Sequence, residues 1–254
     1  MLQRRTHLSR ARGAKAQKRI NYNNYDAPAN TINFNQAVKS QLRQIELVPK
    51  TRGQEKLVVA LMDSDQDIVI ATGPAGTGKT YLAMQAAIRS LRTGAVDRIV
   101  LTRPAVGVED EQHGFLPGDL VAKMAPWTRP LLDVLHEYYH PKDVVRMMED
   151  QVIEISPLAF MRGRTFKNAW IVADEMQNAT PGQMKMLLTR IGENSRIVVT
   201  GDIEQADRSG MENGLLDLTE RLKAHGHTGI SAVELTGRDI QRHPIIDRVL
   251  HLYK

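Results

Sequence analysis

The chain has no cysteine among its 254 residues, which excludes a disulfide framework, a thiol nucleophile and any cysteine-ligated zinc or iron–sulfur centre. No apolar run approaches the ~18 residues needed to cross a bilayer, and the first residues carry no apolar signal-peptide core. A soluble chain in a reducing compartment is the expectation. Acidic side chains are missing from residues 1–20, which hold Arg4, Arg5, Arg10, Arg12, Lys15, Lys18 and Arg19. Setting those seven aside from the 34 basic residues leaves 27 against 29 acidic ones, so the formal +5 of the whole becomes −2 over residues 21–254. Basicity therefore belongs to the arm. Two readings fit it: contact with a polyanion such as nucleic acid through counterion release, or a solvated leader that keeps the chain in solution.

What is present points to an α/β fold. The 42% hydrophobic content is enough for a sizeable core. Residues 1–44 are polar and read as a mobile arm, and the folded domain is expected over 45–254. Short apolar runs at 67–72, 98–102, 152–156, 170–174, 196–201 and 232–235 predict strands. Helical composition falls between them at 81–92, 183–191, 214–224 and 245–253. Continuous apolar strands alternating with helices indicate a mostly parallel sheet with helices on both faces. The Pro- and Gly-punctuated stretch 105–150 reads as an insertion or subdomain.

The sharpest motif is GPAGTGKT, running through Gly73, Pro74, Ala75, Gly76, Thr77, Gly78, Lys79 and Thr80. It matches G-x-x-x-x-G-K-[ST] and sits between a strand and a helix, as a phosphate-binding loop must. Glycines let successive backbone N–H groups turn inward around an anion, and the next helix aims its positive end at the same charge. Lys79 would bridge the β- and γ-phosphates and the Thr80 hydroxyl would hold Mg²⁺. Asp174 and Glu175 end a later strand. Asp174 would serve the metal and Glu175 the attacking water, on opposite faces because adjacent strand residues alternate. Gln205, in the GDIEQ that ends the following strand, is placed to contact the γ-phosphate. Gln54, upstream of the loop, could read an adenine edge with its amide.

Taken in order, these motifs resemble the PhoH family of P-loop ATPases, which is related to superfamily 1 helicases. The resemblance rests on GPAGTGKT (73–80), TRP (102–104), GFLPGDL (114–120), FMRGRTF (160–166), DEMQN (174–178), QMKMLLTRIGENS (183–195), VVTGDIEQAD (198–207) and RHP (242–244). Met176 departs from the alanine usual in that group but leaves both carboxylates in place. The resemblance implies a RecA-like fold, ATP and Mg²⁺ as cofactors, ATP hydrolysis and a cytoplasmic setting. It also implies a helicase-like role on RNA or single-stranded DNA, with TRP where related helicases touch a nucleic-acid backbone. No nuclease domain is expected, because only about 50 residues precede the core. One RecA-like core leaves the nucleotide site half built, so a homo-oligomer is expected, with a hexameric ring as one form. A neighbouring subunit would then supply an arginine, chosen among Arg242, Arg190, Arg164 and Arg162, with Arg242 preferred. The alternative is a nucleotide-dependent switch or scaffold that binds a protein partner.

Other signals read as structural. His136 and His140 match H-E-x-x-H, but Pro141 pushes His140 out of helical geometry. Met184, Met186 and Leu187 read as packing, and Trp127 as an edge of the insertion.

Overall fold

A computed structural model of the chain describes residues 45–104, 129–205, 212–225 and 228–243, with 245, 246, 249 and 252 beyond them. All six foreseen strands form: β1 (Ile68–Thr72), β2 (Arg98–Thr102), β3 (Ile153–Ile155), β4 (Ala169–Ala173), β5 (Arg196–Gly201) and β6 (Ile230–Glu234). They make one sheet in the order β3-β2-β4-β5-β1-β6, and every pairing is parallel. This is a RecA-like α/β core. All the strands end at the same sheet edge, and β5 alone separates the strand before the glycine-rich loop from the strand before the acid pair.

The strands read as unbroken apolar runs because both faces are covered. In β1, Val69 and Ala71 enter one cluster while Ile68 and Ile70 enter the other. In β5, Val198 parts in the same way from Ile197 and Val199. One face is covered by α1 (Arg52–Met62), α2 (Lys79–Thr93), a helical stretch over 129–136 and α3 (Pro141–Glu149). The other carries α4 (Pro181–Leu188) and α5 (Gly214–His225). No helix among the described residues is long and apolar enough to cross a membrane.

Several element ends have local causes. Gly94, in left-handed geometry, closes α2 by donating its N–H to Leu91 O at 3.1 Å. Thr180 and Gln183 form a reciprocal capping box, with Pro181 in the first turn, so α4 starts two residues before the predicted helix. α1 was not among the predicted helices, although Leu57, Ala60 and Leu61 repeat at helical spacing behind the N-cap Thr51. Its last turn is gripped from β5, where the Arg196 guanidinium donates to Leu61 O and Asp63 O at 2.6 Å each and lies over the Trp170 ring.

Of the stretch 105–150, residues 105–128 lie outside the described residues, and Trp127 with them. Leu131, Leu135, Val144 and Met147 from the remainder join the same core cluster as α1 and α2. His140 is the N-cap of α3, extended at φ −65° and ψ 144°, while His136 ends the preceding helical stretch. The two histidines therefore share no helical face. The arm 1–44 and most of the predicted helix 245–253 also lie outside the described residues.

Candidate functional site

The loop after β1 is held in its curl from both sides. Lys79 is 8% exposed, and its ammonium donates inward to the carbonyl of Gly73, to Pro74 O at 2.8 Å and to Thr77 Oγ1 at 3.4 Å. Burial lowers the lysine pKa; Asp202, Glu175 and Asp174 push it back up, and Arg242 pulls it down. Outside the loop runs a strap, the segment that follows β6. A Cβ on Gly73, at φ 136°, would lie 2.2 Å from Leu235 O, and one on Gly76, at φ 86°, would lie 2.3 Å from Arg242 Nε. Both positions need glycine for backbone and space alike. Gln241 N donates to Gly76 O at 2.9 Å, which ties strap to loop.

Asp174 stands against the first residues of α2. Its Oδ1 accepts from Thr80 Oγ1 at 2.7 Å and from Thr200 Oγ1 at 2.6 Å, and its Oδ2 lies 3.1 Å from Arg103 Nη2. Glu175 does not point to the opposite face, contrary to expectation. β4 ends at Ala173, so strand alternation has stopped, and Glu175 is left-handed at φ 55°. That backbone turn brings both carboxylates to the same arginine nitrogen, with Glu175 Oε1 at 2.9 Å from Arg103 Nη2. Gln177 holds the other oxygen, donating to Glu175 Oε2 at 2.6 Å, while its own Oε1 accepts from Asp202 N at 3.1 Å.

A cavity of about 250 Å³ opens between these groups, walled by Lys79, Thr80, Asp174, Glu175, Asp202 and Gln205. That is below the ~300–1,000 Å³ of a whole-ligand pocket and suits the polyphosphate part of a ligand. Thr80 and Asp174 form a hard oxygen pair suited to Mg²⁺, which keeps several waters and needs few protein ligands beside substrate phosphates.

Two expected roles change. Gln54 is buried with its amide turned onto the protein: Nε2 donates to Thr77 O at 3.0 Å and Oε1 accepts from Lys50 N at 2.8 Å. It braces the loop and is not on the cavity wall. Arg103 of the TRP segment is turned onto the acid pair, not outward to a nucleic-acid backbone. Among the arginine candidates, Arg164 pairs with Glu154, and Arg190 donates to Met186 O and Arg164 O at 3.1 Å each. Arg162 is exposed. Arg242 lies on the phosphate loop of its own chain, where a neighbour's arginine had been expected.

Asp202, Gln177, Thr200 and Asp239 carried no assigned role in the sequence. Asp202 was legible, being the acid of the GDIEQ motif at a strand end. Asp239 was not. It is 6% exposed and accepts from Thr51 Oγ1 at 2.6 Å, Gly53 N at 3.0 Å, Thr236 N at 2.8 Å and Thr236 Oγ1 at 3.2 Å, pinning the strap to the start of α1.

Relatives carry the same sequence over most of this length. A PhoH-like protein of Bacillus subtilis (strain 168) is 47% identical over 205 residues, covering 80% of this chain and 63% of its own. One from Synechocystis sp. is 41% identical over 218 residues, covering 85% and 65%. The chain thus spans less than two thirds of the length of these curated relatives. The helicase domain of Hef from Pyrococcus furiosus aligns at a TM-score of 0.44 and 12% identity, over 78% of this chain and 40% of that one, a likeness too slight to carry an argument. The family described as PhoH-like protein matches residues 46–254. With glycine-rich loop, acid pair and GDIEQ segment converging on one cavity, the chain belongs to the PhoH family.

Proposed function

We propose that the chain is a Mg²⁺-dependent ATPase that couples hydrolysis to remodelling of RNA or single-stranded DNA and works as a homo-oligomer. The observation that supports this most is the 2.7 Å hydrogen bond from Thr80 to Asp174, which sets the start of α2 against the acid pair across one small cavity. The loop amides and Lys79 bind the phosphates, and Thr80 and Asp174 hold the metal. Bound Mg²⁺ would supply charge neutralisation on the β- and γ-phosphates. Glu175 takes a proton from water, and the water oxygen bonds to the γ-phosphorus. The bond from that phosphorus to the bridging oxygen breaks, its electron pair leaving with ADP. Gln205 orients the water from the opposite wall.

Arg242 is assigned as a cation acting within its own subunit, because its side chain already covers Gly76. Arg242→Ala should lower turnover at least about tenfold. Mixing Arg242→Ala with Lys79→Ala subunits should restore nothing; recovered turnover in the mixture would make Arg242 a finger reaching into a neighbour.

The nucleic-acid part of the proposal leans on the basic arm and on the kinship. Turnover should rise when single-stranded RNA or DNA is added. Deleting residues 1–20 should weaken that binding and flatten its dependence on salt. Indifference of turnover to both polymers would favour a nucleotide switch with a protein partner.

A further inference from the structure

We propose that Arg103 is a positioning residue for Glu175, fixing the carboxylate that activates water; this deepens the ATPase reading and rests on it. Sheet register puts Arg103 there. Thr102 pairs with Ala173 in the parallel β2–β4 ladder, and Asp174 N donates to Thr102 O at 3.0 Å. The residues following the two strands therefore emerge side by side. Arg103 spans them with one nitrogen, 3.1 Å from Asp174 Oδ2 and 2.9 Å from Glu175 Oε1.

The environment separates this from a surface ion pair. The Arg103 side chain is 17% exposed, whereas that of Glu175 is 45% exposed and open to the cavity. Arg103 does not line that cavity, so it stands behind the carboxylates and not among the groups facing a phosphate. Gln177 holds Oε2 and Arg103 holds Oε1, so the carboxylate is fixed at both oxygens. Glu175 also leaves the strand in left-handed geometry, a conformation that a bulky side chain keeps only when its surroundings hold it. A base fixed in this way meets the water without first reorienting.

The test is a double-variant cycle on the full chain, using Arg103→Gln, Arg103→Lys, Glu175→Gln and the pair Arg103→Gln with Glu175→Gln. Turnover, affinity for a fluorescent ATP analogue and thermal midpoint are measured for each. Arg103→Gln should lower kcat about 10- to 100-fold, with analogue affinity and KM held. Arg103→Lys should recover part of the loss. In the Glu175→Gln background Arg103→Gln should remove nothing further, because its effect passes through that carboxylate. Additive losses in the paired variant, or analogue binding lost in step with kcat, would overturn the proposal, and Arg103→Lys carries the same cycle if the glutamine variant fails to fold. Full turnover in Glu175→Gln alone sinks the assignment of the base and this inference together. An inactive Glu175→Gln beside a fully active Arg103→Gln sinks the inference alone.

Discussion

Lys79→Ala should cut ATP turnover at least about 100-fold while the chain stays folded. The ammonium stands inside the loop with nothing between it and the cavity, and no other lysine lines that space. Its loss leaves the Gly73 and Pro74 carbonyls without a donor, but it also removes a cation whose charged form burial disfavours. These effects oppose each other, so the thermal midpoint should move little while turnover collapses. Turnover with saturating ATP, circular dichroism and a melting curve are sufficient to check it. Undiminished hydrolysis would refute the placement of the phosphates.

Asp239→Ala should have the largest effect on stability, about 3 kcal/mol, although it lies away from the chemistry. The buried carboxylate accepts from two backbone amides and two hydroxyls, and alanine strands the amides of Gly53 and Thr236. Burial alone would raise the carboxyl pKa, but the hydrogen bonds from Thr236, Thr51 and Gly53 outweigh it, and the net direction is downward from 3.8. A carboxyl lower in the folded than in the unfolded chain stabilises above its unfolded pKa and loses that contribution as pH falls through the folded value. Urea unfolding should therefore show a loss below about pH 4 that Asp239→Asn lacks. Turnover should fall as well, because Gln241 and Arg242 keep their places over Gly76 only while the strap is pinned. Wild-type stability in Asp239→Ala would show that Leu235 and Gln241 hold the strap unaided.

Much of this was legible in the chain. Strands buried on both faces announce themselves as short apolar runs, and all six appeared within about two residues of their places. The phosphate loop, Thr80 and Asp174 were readable because their chemistry fixes their spacing. What escaped depends on register and on distant contacts. Nothing near residue 103 says that Thr102 pairs with Ala173, so the partner of Arg103 could not be read. The pleat argument for Glu175 failed where the strand stopped one residue earlier than the apolar run suggested. Gln54 has the right chemistry for an adenine edge, but its direction is decided by the Thr77 carbonyl and the Lys50 amide. Arg242 and Asp239 belong to a segment without periodicity, whose importance comes wholly from what it lies against.

α1 is fastened at both ends by charges from far along the chain, Asp239 at its start and Arg196 at its finish. The signs match the helix dipole, a carboxylate at the positive end and a guanidinium at the negative one. A rod clamped this way transmits displacement instead of absorbing it. Movement of the strap over a bound phosphate would be felt at the far rim of the sheet, where β5 begins, before any intervening strand had to bend.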